Sequence, residues 1–253
     1  MEERSIYLKE VFAKNGFSLS EKQVEQFELF YDMLIEKNKV MNLTAITEYR
    51  EVVVKHFLDS VFLAKYVNFS DGPTMIDVGT GAGFPGIPLK ILFPDLEIVL
   101  LDSLNKRVNF LKEVIEALHL EKITAIHGRA EEIVRKPGYR EYFDFCVSRA
   151  VANMNSLSEI CIPFVKIGGS FIPYKSMKGE EELKEAGRAI QIFGGTNSCL
   201  EKKGDRDLIR FAIEEDFGGD EKLERNFIVI HKIKNTPKKY PRKPGTPFKE
   251  PLK

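Results

Sequence analysis

The tightest constraint on this chain is the passage Met75-Ile76-Asp77-Val78-Gly79-Thr80-Gly81-Ala82-Gly83-Phe84-Pro85-Gly86, where a short apolar run ends in a turn packed with glycines. Residues without a Cβ let the backbone bend sharply and let a ligand approach it closely. An apolar run feeding such a turn reads as the first strand of a parallel α/β sheet with a small-molecule site at its tip. The spacing Gly81-x-Gly83-x-x-Gly86 meets the dinucleotide pattern only in a register displaced from the strand end, and Gly79-x-Gly81-x-x-Phe84 lacks its third glycine. Neither is a plain nicotinamide-dinucleotide fingerprint.

The charge of the passage points the same way. Asp77 lies two residues before the first glycine, where it opposes a pyrophosphate seeking a bare helix N-terminus. A cation suits it better. S-adenosylmethionine sets a sulfonium and an ammonium against one carboxylate, so it is the expected cofactor, with Asp77 among its contacts. An NAD-linked oxidoreductase is the alternative, because it uses the same kind of turn.

With 253 residues and 43% apolar content the chain has room for one α/β domain and a small appendage around an ordinary core. Lys plus Arg and Asp plus Glu both number 38, so net charge excludes no class of partner. The balance breaks at the end, where Lys232, Lys234, Lys238, Lys239, Arg242, Lys243, Lys249 and Lys253 face only Glu250. Such a cluster is either a set of phosphate contacts or a solvated end. Cys146, Cys161 and Cys199 have no C-x-x-C spacing, and His56, His119, His127 and His231 form no i, i+4 pair. Reduced core thiols are expected, and no metal. No run reaches membrane-spanning length and the first residues lack an apolar signal core, so the expected setting is the cytoplasm, without membrane contact and as a monomer.

Helical spacing over 5–15 and 20–38 predicts two amphipathic helices, with Gly16 closing the first and either Ser18 and Glu21 or Ser20 and Gln23 opening the second as a capping box. Thr47 is placed to cap a third, through Val61. Beyond Thr74 short apolar runs alternate with helices: strands over 74–79, 97–102, 123–127, 142–148 and 169–174, helices over 86–93, 104–119, 153–165 and 179–192. That alternation predicts a parallel sheet with right-handed crossovers. Leu208–Ile213 and Phe227–Ile233 have no helix between them and predict a closing hairpin, giving a mostly parallel seven-stranded sheet. The expected division is a helical region over 1–70, a cofactor-binding domain over 71–235 and a basic, Pro-rich tail over 236–253.

Ligands of open α/β sheets bind beyond the carboxyl ends of the strands, so the strand ends supply the candidates. Asp102 closes the second strand, where an acid accepts both ribose hydroxyls of an adenosine or caps the helix that follows. Glu131, in Gly128-Arg129-Ala130-Glu131 after the third strand, either reads the adenine edge or charges the first turn of a helix. Arg149 follows the fourth strand, at the position that in methyl-transfer enzymes faces the reacting methyl group, and is thus a site candidate. Lys175, after the fifth, is either a donor to a guanine O6 or a solvated lysine, and its neighbour Tyr174 either stacks a base or packs at the sheet edge. No Asn/Asp-Pro-Pro-aromatic tetrapeptide follows the fourth strand, which argues against methylating an exocyclic amine. Cys146 and Cys161 fall inside regular elements, which argues against a thiolate nucleophile. A nucleophile with its own lone pair, such as guanine N7, fits best, because positioning and desolvation suffice for it.

These residues together resemble the bacterial small-subunit ribosomal RNA guanine-N7 methyltransferase family, also called glucose-inhibited division protein B. The resemblance covers nearly the whole chain. It rests on Met41-Asn42-Leu43-Thr44-Ala45-Ile46, His56-Phe57-Leu58-Asp59-Ser60, the passage from Asp77 to Leu89, Leu101-Asp102-Ser103 with Lys106-Arg107, Gly128-Arg129-Ala130-Glu131, Ser148-Arg149-Ala150 and Pro241-Arg242-x-x-Gly245-Thr246-Pro247. It implies a Rossmann-like class I methyltransferase with an N-terminal helical extension, using S-adenosylmethionine to methylate N7 of one guanosine in 16S ribosomal RNA, free or in the small subunit. The resemblance also implies cofactor contacts at Gly79, Gly81, Phe84, Asp102, Ser103, Leu104, Ala130, Glu131 and Arg149. His56, Arg149, Lys175, Arg242 and Lys243 are expected on the RNA side, with Arg149 and Lys175 nearest the chemistry. A noncatalytic ribosome-binding protein is a further alternative.

Overall fold

The computed structural model describes residues 2–149, 152–176, 179–201, 207–213 and 223–252; Ala150 and Lys253 of the motifs above lie outside them. Helix α1 (Glu2–Lys14) stops at Gly16, which adopts φ +78°, and α2 (Glu21–Met41) starts with Ser20 and Gln23 capping each other's backbone amides. Asn42 ends α2 in the left-handed region. The third helical stretch is one run with three windings: α3 (Tyr49–Val52), a π-turn over Val53–Leu58, α4 (Asp59–Val61) and a 3-10 turn over Phe62–Lys65. Glu48, not Thr47, caps it, its carboxylate accepting from the Glu51 amide.

Then follow β1 (Thr74–Val78), α5 (Gly86–Leu92), β2 (Glu97–Asp102), α6 (Asn105–Ala117), β3 (Ile123–His127), α7 (Ala130–Ile133), β4 (Phe143–Ser148), α8 (Met154–Cys161), β5 (Val165–Lys175), α9 (Gly179–Glu185), α10 (Gly187–Ile192), β6 (Gly195–Thr196), β7 (Leu208–Ile213), β8 (Leu223–Ile228), β9 (Ile230–Lys232) and α11 (Thr246–Lys249). Among the described residues the sheet has nine strands: the expected seven form its main path, in the order β3-β2-β1-β4-β5-β8-β7, and β9 pairs with β5 and with β6 off that path. β1 to β5 run parallel, and β8 is antiparallel to both β5 and β7, so the expected hairpin closes the sheet. The predicted final strand is split at Val229 into β8 and β9.

Both faces of the central strands are buried, and successive residues serve opposite layers. Met75, Leu100, Val147 and Ile172 join the cluster that holds the N-terminal helices, α5 and α6; Ile76, Leu101, Cys146 and Phe171 join the cluster under α8 to α10. Phe27 and Phe30 of α2 pack on Phe57 at centroid distances of 5.0 and 5.5 Å. A buried ring of this kind contributes about 3–5 kcal/mol relative to alanine, so residues 1–70 are fastened to the sheet through a shared core. Apart from α11 the tail is irregular in winding, but side chains of the domain hold it in place. Lys232 is buried, its ammonium held by the carbonyls of Ile162 and Phe193 and by Glu141, and burial draws its pKa down to about 8. Arg242 is clamped by Glu159, as described below.

Candidate active site

The chain leaves β1 for β2 and β3 on one side and returns to β4 on the other, which opens a crevice above the tips of β1 and β4. At the β1 tip the amides of Gly79 and Thr80 donate to the Leu101 carbonyl at 2.8 and 3.2 Å. Gly81 has φ +62°, and a Cβ there would meet nothing within 4 Å. This glycine is required by backbone conformation, and the space beside it is open. Gly86 is required by packing: a Cβ would come within 2.3 Å of Leu100 and 3.1 Å of Asp77 Oδ2.

Asp77 is not in the crevice. It is fully buried beneath the turn, its Oδ2 accepting from Thr80 Oγ1 at 2.7 Å and from the Gly86 amide at 3.0 Å. Among the described residues Oδ1 has no partner, and burial pushes the carboxyl up to about 7. The expected direct pairing with a cationic ligand therefore gives way to a structural role, shaping the turn from below. The same contact occupies the first amide of α5, the place a dinucleotide pyrophosphate needs.

Asp102, at the β2 tip, does not cap α6 itself but orders the backbone on both sides of the tip. Its Oδ1 accepts from the Leu104 amide at 2.8 Å, its Oδ2 from the Gly81 amide at 2.9 Å, and Arg107 lies 3.5 Å away. Each carboxylate oxygen has a further acceptor direction. Beside it a cleft of about 170 Å³ is lined by Val78, Gly79, Leu101, Ser103, Gly128, Arg129, Ala130, Glu131, Ala152, Leu157, Ile160 and Phe248. That is below the ~300–1,000 Å³ of pockets that enclose a whole drug-sized ligand. Its size suits the nucleoside end of a ligand. Ala152, Leu157, Ile160 and Phe248 carried no sequence signal for this site. Glu131 charges the first turn of α7, and its Oε1 accepts from the Gly245 amide at 2.9 Å.

The second half of the site lies on the N-terminal helical side. His56 and Asp59, three residues apart in the helical run, share a face, and both meet Arg149. Arg149 Nη1 donates to Asp59 Oδ2 at 3.0 Å, and Nη2 lies 3.0 Å from His56 Nδ1. Since arginine only donates, Nδ1 is the acceptor and Nε2 carries the hydrogen toward Thr44 Oγ1 at 2.8 Å. Thr44 is delivered by Asn38, whose amide pairs with its backbone on both sides. Phe84 is buried against His56 at 4.7 Å, and the guanidinium of Arg149 lies 5.0 Å over its ring. Thus Phe84 supports Arg149 from this side. Asp59 also takes Arg225 Nε at 3.2 Å, a partner with no signal in the sequence.

Lys175 is not a free donor. Its buried ammonium donates to the Ala152 carbonyl at 2.6 Å and to Glu182 at 2.8 Å. Tyr174 packs: it is buried against Phe227 and donates to the Ser60 carbonyl at 2.7 Å. Arg242 meets Glu159 through Nε and Nη2 at 2.7–3.1 Å, so it anchors the tail instead of facing outward, whereas Lys243 is exposed. Cys146 and Cys161 are buried, and burial raises the Cys146 thiol.

Burial and the adjacent Arg149 draw His56 down to about 3, so it must take up a proton on unfolding at any pH between about 3 and 6.5. Its contribution to stability is complete above 6.5 and is lost as pH falls. Asp77 acts oppositely: its proton stabilises the fold at low pH, and that benefit disappears as pH rises from 3.8 toward 7. Asp77 is common to wild type and His56→Gln, so its effect cancels in their difference. The stability advantage of wild type over the variant should shrink by up to about 1.4 kcal/mol per pH unit between pH 6 and 4. Urea unfolding of both proteins across that range measures it; a flat difference would mean His56 titrates normally.

A doubly wound sheet with a glycine turn, a β2-tip acid and a nucleoside-sized cleft defines the class I methyltransferase fold. Solved structures agree at low identity: a SAM-dependent O-methyltransferase from Thermotoga maritima matches with TM-score 0.50 and 15% identity over 80% of this chain and 72% of that one. The YcgJ protein from Bacillus subtilis matches with TM-score 0.51 and 13% identity over 71% of this chain and all of that one. The family model described as GidB, rRNA small subunit methyltransferase G, matches residues 23–209. Proteins named ribosomal RNA small subunit methyltransferase G from Lachnoclostridium phytofermentans and Alkaliphilus metalliredigens are 56% and 49% identical, covering 94% and 99% of this chain and 93% and 100% of theirs. The chain belongs to the rRNA small subunit methyltransferase G family.

Proposed function

We propose that this chain methylates N7 of a guanosine in the 16S RNA of the small ribosomal subunit, as a cytoplasmic monomer. The observation that carries the reading is the pairing of Asp102 and an open nucleoside cleft with a helix N-terminus already closed by Asp77. Together they favour S-adenosylmethionine over a dinucleotide. When bound, that cofactor supplies a methyl group on a sulfonium, transferred as the C–S bond breaks and the sulfur keeps the electron pair.

The residues have separable tasks. Asp102 accepts the ribose hydroxyls, the Gly79–Gly83 turn brings backbone close to the ligand, and Ser103, Leu104, Ala130 and Glu131 shape the nucleoside end. Guanine N7 carries no proton, so no general base is needed and positioning is the main contribution. Arg149, held by Asp59 and His56, orients guanine through O6. Exposed lysines of the tail, Lys238, Lys239, Lys243 and Lys249, supply phosphate contacts. The test is incubation of 16S RNA, free and within the small subunit, with methyl-labelled cofactor, followed by mass mapping. One 7-methylguanosine is expected; label on a ribose, on an exocyclic amine or nowhere would overturn the reading.

A further inference from the structure

The C-terminal segment does more than present lysines. After β9 the chain turns back across the molecule, and its carbonyls are collected by side chains of the domain. Arg140 donates to the carbonyls of Thr236 and Tyr240 at 2.8 and 3.0 Å, and Arg135 to that of Pro241. Glu159, 1% exposed, accepts from the Arg242 amide at 2.7 Å as well as from its guanidinium. Ser156 of α8 then donates to the Pro247 carbonyl at 2.7 Å. This strap ends in α11, which begins at Gly245 with φ +83°.

Two contacts carry the strap into the cleft. The Gly245 amide holds the Glu131 carboxylate at 2.9 Å, fixing the Gly128–Glu131 loop that forms one side. Phe248, within α11, lines the same cleft as Gly79, Leu101, Ala130 and Leu157 while its own surface is 44% exposed. A flat apolar ring across from the β1 and β2 tips suits the face of a purine nucleoside.

We propose that the strap Tyr240–Leu252 is the outer wall of the nucleoside site, with Phe248 packing against the adenosyl part of the cofactor, so that filling the cleft and docking the strap are coupled. This rests on the cofactor reading above. An RNA base stacked on Phe248 is the competing occupant, and the test separates them.

Calorimetry with S-adenosylhomocysteine compares wild type, Phe248→Ala and Phe248→Tyr. The alanine variant should bind about tenfold more weakly, within the range seen when a base loses an aromatic stacking partner, while tyrosine restores affinity and neither changes the affinity for 16S RNA. A half-exposed ring can be truncated without unfolding the chain. A second measurement needs no variant: tryptic cleavage at the exposed Lys238 and Lys239 should slow at least about tenfold at a hundred times the dissociation constant, because the ligand then favours the docked strap. Equal affinity in Phe248→Ala, a loss confined to RNA binding, or cleavage indifferent to ligand would overturn the inference. Failure of wild type to bind S-adenosylhomocysteine would instead remove the cofactor reading itself.

Discussion

Asp102→Ala is expected to weaken S-adenosylhomocysteine binding about a hundredfold or more while lowering the melting temperature by only a few degrees. Hydrogen bonds to a charged group contribute about 1.5–3 kcal/mol each. Loss of two ribose hydroxyl contacts therefore corresponds to at least ~3 kcal/mol, or two decades in affinity. The cost to the free protein is smaller. Its carboxylate also orders the turn through the Gly81 and Leu104 amides, but Gly81 is half-buried and Leu104 exposed, so water can replace the lost acceptor. About 1 kcal/mol of stability corresponds to roughly 2–4 °C in a chain of this size. Asp102→Asn should fall between, since the amide retains one acceptor oxygen. Parallel titration with NAD gives the decisive contrast: NAD binding that depends on Asp102, with no S-adenosylhomocysteine binding, would mean a dinucleotide site.

The sheet was readable because its signal is local. Apolar runs of strand length separated by helical periods give β1 to β5, and the two late apolar runs, Leu208–Ile213 and Phe227–Ile233, with no helical period in the sequence between them, give the antiparallel closure. The winding of the third helical stretch was not: a π-turn over Val53–Leu58 keeps the same apolar residues, so periodicity alone does not report it. The anchoring of the tail is hidden from the sequence for a different reason. A run of lysines and arginines looks solvated when its carboxylates are distant in sequence, and Glu159 lies 83 residues before Arg242. Asp77 shows the limit of reading charge at a site. Its place beside a glycine turn suggested a ligand partner, yet the side chain alternates to the buried side and meets Thr80 and Gly86. Asp59 stood in a motif that marked the family, but only the fold supplies its two arginines.

Asp59→Ala should lower stability by about 3 kcal/mol and turnover by about a hundredfold. The carboxylate is 1% exposed and sits between Arg149 and Arg225. Removing one member of a buried ion pair typically costs 3–5 kcal/mol. Here the stranded arginines are 20% and 30% exposed, so solvent screens part of the loss and the low end of the range applies. Its catalytic effect comes through Arg149. Without Asp59 that guanidinium keeps the neutral His56 and the Lys55 carbonyl as partners, neither of which balances its charge, and Arg225 repels it. A displaced Arg149 orients guanine poorly, and misplacement of about 1 Å can cost 10²-fold in rate. Arg225→Ala separates positioning from simple loss of stability, since it removes one cation and leaves the Arg149 pair intact. That variant should lose stability and keep near-normal turnover well below its melting temperature. Steady-state kinetics and thermal melts of both variants decide the matter: Asp59→Ala turning over normally while folded, or Arg225→Ala losing turnover equally, would mean that Asp59 does not act by positioning Arg149.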